Sequence, residues 1–175
     1  TILDELTYVK LVEGDAANTA AVRLEKVPKI AVYAPDQTLP WDDAVLLALN
    51  YAEVPFEQIY DEDILTGRLS EFDWVHLHHE DFTGQYGKFY QYRNAGWFIE
   101  QQRQAEEQAR AYGHRKVSQL KLEVAQTIRE YVRGGGFLFA MCSGTDTFDL
   151  ALAAHQTDIV PADYDGDPID PGAVD

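Results

Sequence analysis

A single cysteine carries the most pointed chemical signal in this 175-residue chain. It sits in Gly134-Gly135-Gly136-Phe137-Leu138-Phe139-Ala140-Met141-Cys142-Ser143-Gly144-Thr145-Asp146. The glycines open a short apolar run of strand character. A helical pattern follows the cysteine at once, with Ser143 and Asp146 at capping-box spacing. A strand that turns sharply into a helix lifts the residue at the turn above the sheet edge, the layout of a nucleophile elbow. Backbone N–H groups and the helix dipole stabilise negative charge there, which suits a thiolate. Cys142 is therefore the candidate for nucleophilic attack. The oxyanion formed in such an attack needs donors. The N–H of Ser143, with Gly144 beside it, supplies one, and the loop after the third predicted strand, at Gly84 or Gly87, a second. The competing reading is a small apolar side chain filling a tight turn, since free cysteine packs well.

His76, His78 and His79, followed by Glu80 and Asp81, form a second constellation. On a strand His76 and His78 share one face and His79 points to the other. A metallohydrolase pattern His-x-His-x-Asp-His needs Asp where Glu80 stands. No metal and no cofactor is assigned, and a metal-dependent hydrolase using His76 and His78 is the weaker alternative. His79, Glu80 and Asp81 fall at the end of a strand, the edge at which open α/β sheets bind ligands, and are read as site-lining. His155 lies one helix beyond the cysteine and reads as a helix C-terminal histidine facing the dipole, or as a stand-in base. Asp163-Tyr164-Asp165-Gly166-Asp167 offers calcium-type ligands, but its glycine is misplaced for an EF-hand loop and the downstream Glu is missing.

The elements that must position these groups alternate in period. Lys29–Ala34 and Phe56–Tyr60 read as strands, as do Trp74–His79 and Gly136–Met141. Pro40 opens a helix whose expected apolar face is Trp41, Val45, Ala48, Leu49 and Ala52. A charged helix is expected from about Trp97 to Tyr112. A more amphipathic one runs from about Val117 to Val132, with the stripe Val117, Leu120, Val124, Ile128 and Tyr131. A last helix is expected near Asp146–Ala154, and Pro161 onward reads as loop. This order predicts an α/β domain with a mostly parallel sheet of short buried strands. Residues 82–98 are rich in glycine and aromatics and read as a pocket wall, a satellite core or a contact between copies of the chain. Phe82 or Tyr86 is expected to cover the site.

Residues 1–27 read as a peripheral segment with one strand at Thr7–Val12, and 28–175 as one domain. That domain is expected to be incomplete at its C-terminus, because this sheet type usually has another strand or two. The net charge of −16, from 30 acidic and 14 basic residues, argues against nucleic acid and anionic membranes as partners. No Lys or Arg follows Arg133, while eight Asp follow Cys142. No apolar run approaches the length of a membrane span. The compartment is open: a soluble protein, cytoplasmic or exported after N-terminal processing.

The elbow resembles that of the class I glutamine amidotransferase-like superfamily. Lys29–Asp36, Trp41-Asp42-Asp43-Ala44, Asp73–Lys88 and Gly134–Asp149 resemble bacterial proteins labelled asparagine synthetase B, of the trehalose-utilisation-type branch. The likeness runs over about 28–170. It implies a flavodoxin-like three-layer α/β sandwich and a small-molecule amide substrate. Nothing resembles the ATP-pyrophosphatase domain that an asparagine synthetase requires. Active members read Gly-x-Cys-x-Gly-x-Gln at the elbow. Here Cys142-Ser143-Gly144 keeps the centre, Ala140 replaces the first glycine and Asp146 stands in place of Gln. The family's catalytic His and Glu follow the elbow, and no His-x-Glu follows Cys142 here. The resemblance therefore implies either a thiol enzyme whose histidine base lies outside this chain, or a binding or structural domain that kept the fold without the chemistry.

Overall fold

The structure is a computed structural model and describes residues 27–35 and 38–173. The expected strand Thr7–Val12 lies outside the described residues. Strands β1 (Ile30–Tyr33), β2 (Glu57–Ile59), β3 (Trp74–Leu77) and β4 (Phe137–Ala140) form one all-parallel sheet in the order β2-β1-β3-β4. This is an α/β fold. Every β1 residue is buried, as its unbroken apolar run demands of a central parallel strand.

Register sorts the strand residues onto two faces. Ala31, Val75 and Leu138 align on one face, and Val32, His76 and Phe139 on the other. The first face is closed by α4 (Val117–Arg133) and α5 (Cys142–Ala153), with α2 (Asp61–Leu65) alongside. Val124, Ala125 and Ile128 of α4 are fully buried against Tyr33, Val75 and Leu77. The predicted stripe of α4 is the one that packs. Each large aliphatic side chain buried there contributes about 1.5–3 kcal/mol. Helix α3 (Gly96–Ala111) packs along α4 and buries Phe98 and Ala109.

Among the described residues, the second face is covered by α1 (Ala44–Tyr51), which packs on β1, with Phe56 before β2 and Trp74 of β3 against the same cluster. The expected apolar face of α1 is corrected. Leu46 is its buried residue, with Val45 and Leu49 partly buried, whereas Trp41 is 71% exposed and Ala48 and Ala52 are exposed. The reason is where the helix starts. Pro40–Asp42 form a separate 3-10 turn, and the Asp43 carboxylate caps α1 by accepting from the N–H groups of Val45 and Leu46, which sets the helical phase. β4 is likewise not a buried strand. Among the described residues it is an edge strand that α1 does not reach, and Phe137 and Phe139 are 57% and 44% exposed. The segment after Pro161 carries one helical turn, α6 (Ala162–Asp165), where loop was expected.

One polar cluster is buried inside the first face. The Lys121 ammonium lies 2.9 and 2.7 Å from the two Asp61 oxygens, and donates to the hydroxyls of Tyr33 and Tyr60 at 2.9 and 3.0 Å. Tyr33 in turn donates to Asp61. Burial presses the Lys121 ammonium to lose its proton, but Asp61 outweighs that and holds its pKa above the usual lysine value. The cluster is a satisfied internal ion pair that ties α4 to β1 and α2. Among the described residues, no helix is long and apolar enough to cross a membrane.

Candidate functional site at the carboxyl edge of the sheet

The chain leaves β1 toward β2 on one side and comes back through β3 on the other. The carboxyl ends of β1 and β3 therefore flank the point where strand order reverses, the usual position of a ligand crevice in open parallel sheets. Asp43, at the start of α1, comes to this edge from β1. His78, His79 and Glu80 come from β3, and Cys142 from β4.

Cys142 is the first residue of α5 and has φ +53°, a left-handed backbone that non-glycine residues rarely adopt. Its side chain is exposed. The elbow is clamped to β3 on both sides of the cysteine. Met141 N–H donates to Leu77 O at 3.1 Å, and Gly144 N–H to His78 O at 2.8 Å. A Cβ on Gly144 would lie 2.8 Å from that same carbonyl oxygen, so the close approach of α5 to the end of β3 requires glycine. Two expectations are corrected. The Gly144 N–H, beside the expected oxyanion donor Ser143, is occupied by His78 O and is not offered to an oxyanion. Ser143 and Asp146 do not form a capping box: the N-cap is Met141, and the Ser143 hydroxyl donates to His79 O at 3.2 Å.

The histidines depart from strand alternation. β3 ends at Leu77, and past that point the chain turns, so the His79 ring comes edge-on to His78 with centroids 4.3 Å apart. His78 Nε2 lies 2.6 Å from Asp43 Oδ2 and 3.6 Å from Glu80 Oε1. His79 Nε2 lies 3.6 Å from Asp43 Oδ2 and 3.9 Å from Glu80 Oε1. Burial raises the Asp43 carboxyl, but the Leu46 N–H and His78 outweigh it and hold Asp43 below the ordinary carboxylate value. His76 stays apart. Its ring lies 5.1 Å from the Phe139 ring, its Nε2 has no hydrogen-bond partner, and burial, helped by His78, lowers its pKa to about 4.

The remaining candidates serve the scaffold. Asp81 Oδ1 accepts from both N–H and hydroxyl of Thr83 at 2.6 Å, folding the loop after β3. Gly84, at φ +76°, packs against the Ser118 backbone at the start of α4. Phe82 is fully buried, stacked on Tyr33 and edge-on to Phe148, so it belongs to the core and does not cover the edge. Tyr86 and Tyr90 pack on Phe98, and Phe89 and Tyr92 on Trp97, making 82–98 a satellite aromatic cluster with α3. His155 follows the C-terminal end of α5, roughly 18 Å of helix from Cys142, which removes it as a base for the thiol. The acidic segment near the C-terminus meets an internal cation. Lys116 Nζ lies 2.5, 3.0 and 2.5 Å from Asp158, Asp165 and Asp167, in the place where calcium was considered.

Asp43 is the site residue that sequence reading missed. Its signal was the N-cap position before Ala44-Val45-Leu46, obscured by Pro40 as an alternative helix start. Comparison with protein-family models, curated proteins and solved structures found no match to the chain.

Proposed function

We propose that the chain is a flavodoxin-like, glutamine amidotransferase-like domain in which Cys142 is a nucleophile toward a carboxamide or activated acyl carbon. The observation that carries this reading is the left-handed backbone of Cys142, at a strand-to-helix junction on the carboxyl edge of a 2-1-3-4 parallel sheet. Such strain persists only where the surroundings over-determine it, and here the bonds of Met141 and Gly144 to β3 do so. The exposed thiol is thereby aimed away from the core.

His79 is the base in this reading. Its carbonyl is held by Ser143, the neighbour of the nucleophile, and its half-buried ring is oriented by Asp43 and Glu80. A base oriented by a carboxylate beside a thiol is the general logic of nucleophilic catalysis. The thiol would pass its proton to the imidazole as sulfur attacks the acyl carbon, and the imidazolium would return it to the leaving amine.

The test is the alkylation rate of Cys142 near neutral pH, with mass spectrometry of the protein after exposure to an activated acyl ester. Alkylation faster than a model thiol, an acyl adduct on Cys142, and loss of both in His79→Gln support the reading. A thiol that alkylates no faster than a free peptide cysteine, unaffected by His79→Gln, overturns it.

A further inference from the structure

We infer that Asp43, His78, His79 and Glu80 form a binding site for one divalent transition-metal ion of the zinc class, open to solvent next to the elbow. One atom from each residue lies within 4.8 Å of the other three. Around an ion with bonds of about 2.0–2.1 Å, tetrahedral ligand atoms stand about 3.3 Å apart. Four of the six separations, 2.6, 3.6, 3.6 and 3.9 Å, straddle that value and the other two are within 4.8 Å, so modest side-chain shifts would seat an ion. The proton shared by His78 Nε2 and Asp43 Oδ2 would leave to solvent as the ion enters.

Three features favour a site over a chance cluster. The first is orientation. Asp43 Oδ1 is tied by the N–H groups of Val45 and Leu46 at 2.8 and 2.9 Å, which leaves Oδ2 facing the cluster. Glu80 Oε2 accepts from the His79 N–H at 3.2 Å, which leaves Oε1 facing it. Each carboxylate thus has one oxygen fixed by backbone and one presented, the outer support that metal ligands need. The second is charge. Asp43 and Glu80 are 2% and 8% exposed, and among the described residues their ion pairs are with histidines, never with Lys or Arg. Two buried carboxylates call for compensating positive charge, which a dication supplies. The third is the burial of His78. Its ring is 2% exposed and turns Nε2 toward Asp43 Oδ2 and Glu80 Oε1, the side on which an ion would sit.

Two imidazole nitrogens and two carboxylate oxygens are the donors of zinc and its neighbours, not the all-oxygen set of magnesium or calcium. The His79 side chain is 34% exposed while the other three are nearly sealed, so the ion would keep a solvent-facing side. The ion would take His79 Nε2 and so keep the ring proton on Nδ1, the nitrogen that the thiol reading leaves free to act as base. Metal loading would therefore silence Cys142 chemistry. Metal binding itself does not depend on that chemistry.

The experiment is titration of the full chain, stripped with chelator, with Co²⁺ followed by visible absorption and with Zn²⁺ followed by calorimetry. One ion per chain is expected, with tetrahedral-type cobalt bands and no thiolate-to-metal charge-transfer band. His79→Ala and Glu80→Gln, checked for folding by circular dichroism, should each weaken binding about 10–100-fold or more. Cys142→Ser and His114→Ala should leave it unchanged. Absence of stoichiometric binding overturns the site. So does binding that survives both His79→Ala and Glu80→Gln, which would place the ion at the acidic Asp158, Asp165 and Asp167 group instead. A protein that binds the metal but whose thiol is inert in the metal-free state would sink the thiol reading and leave this one standing.

Discussion

Gly144→Ala sets two well-defined effects against each other. Gly144 lies in the first turn of α5, where helix propensity favours alanine over glycine by about 1 kcal/mol. Its surroundings oppose the change. The added Cβ would lie 2.8, 3.0 and 3.1 Å from the O, C and N atoms of His78, all backbone at the end of β3 and unable to rotate away. Forcing a methyl into packed structure costs about 1–3 kcal/mol. As α5 backs off, the 2.8 Å bond from Gly144 N–H to His78 O stretches, a further loss of about 1 kcal/mol. The balance is a destabilisation of about 1–3 kcal/mol. For a domain of this size each kcal/mol moves Tm by roughly 2–4 °C, so a fall of about 2–12 °C is expected. Urea and thermal unfolding measure it. The same variant should alkylate at Cys142 more slowly, because the elbow loses its clamp to β3. A Tm that holds or rises would show that propensity wins, and that α5 does not press on β3 as described.

Two further perturbations test the interior. Lys121→Met strands Asp61 in the core without its cation and should cost about 3–5 kcal/mol in urea unfolding, most of it recovered in Lys121→Met/Asp61→Asn; a neutral single variant would mean the pair is hydrated. In metal-free protein the imidazole of His76, flanked by His78 and Phe139 with Asp43 beyond, should titrate by NMR near 4, because burial first and His78 second disfavour its charge. The unfolded chain then binds more protons between about 6.5 and 4. Stability is whole above that window and declines as pH falls through it, by on the order of 3 kcal/mol, and a midpoint near 6.5 would refute the buried, uncharged histidine.

The sheet was legible because its signals are local. Continuous apolar runs such as Ile30–Tyr33 mark central parallel strands, and the stripe from Val117 to Ile128 marks the helix that covers them. The elbow was legible as well, since a glycine run, a strand and a small-residue helix start are contiguous in the chain. The histidine–carboxylate group was half legible. Alternation correctly put His76 beside His78, but it placed His79 on the wrong side because a strand rule was carried past Leu77, where the strand stops. Asp43 joins that group across 35 residues, through a contact that depends on how α1 leaves β1, and no local pattern encodes it. The aromatics of 82–98 misled for a related reason. Composition marks Phe82 and Tyr86 as able to cover a site, and only the loop path decides that Phe82 is buried in the core and Tyr86 half-buried on Phe98.

The uncovered side of β4 bears on how the protein behaves in bulk. Among the described residues, β4 is an edge strand with Phe137 and Phe139 turned outward and Met141 next to them 42% exposed, a backbone rim beside a greasy flank. Edges of this kind tend to zip onto one another unless something keeps them apart. No lysine or proline occurs on β4 to blunt it. The safeguard is global: sixteen net negative charges make every approach of two copies a repulsive one. That repulsion reaches about a Debye length, roughly 10 Å at 0.1 M salt and 3 Å at 1 M. The acidity of the chain thus acts as a colloidal spacer for its own sheet edge, and ionic strength sets how far the spacer extends.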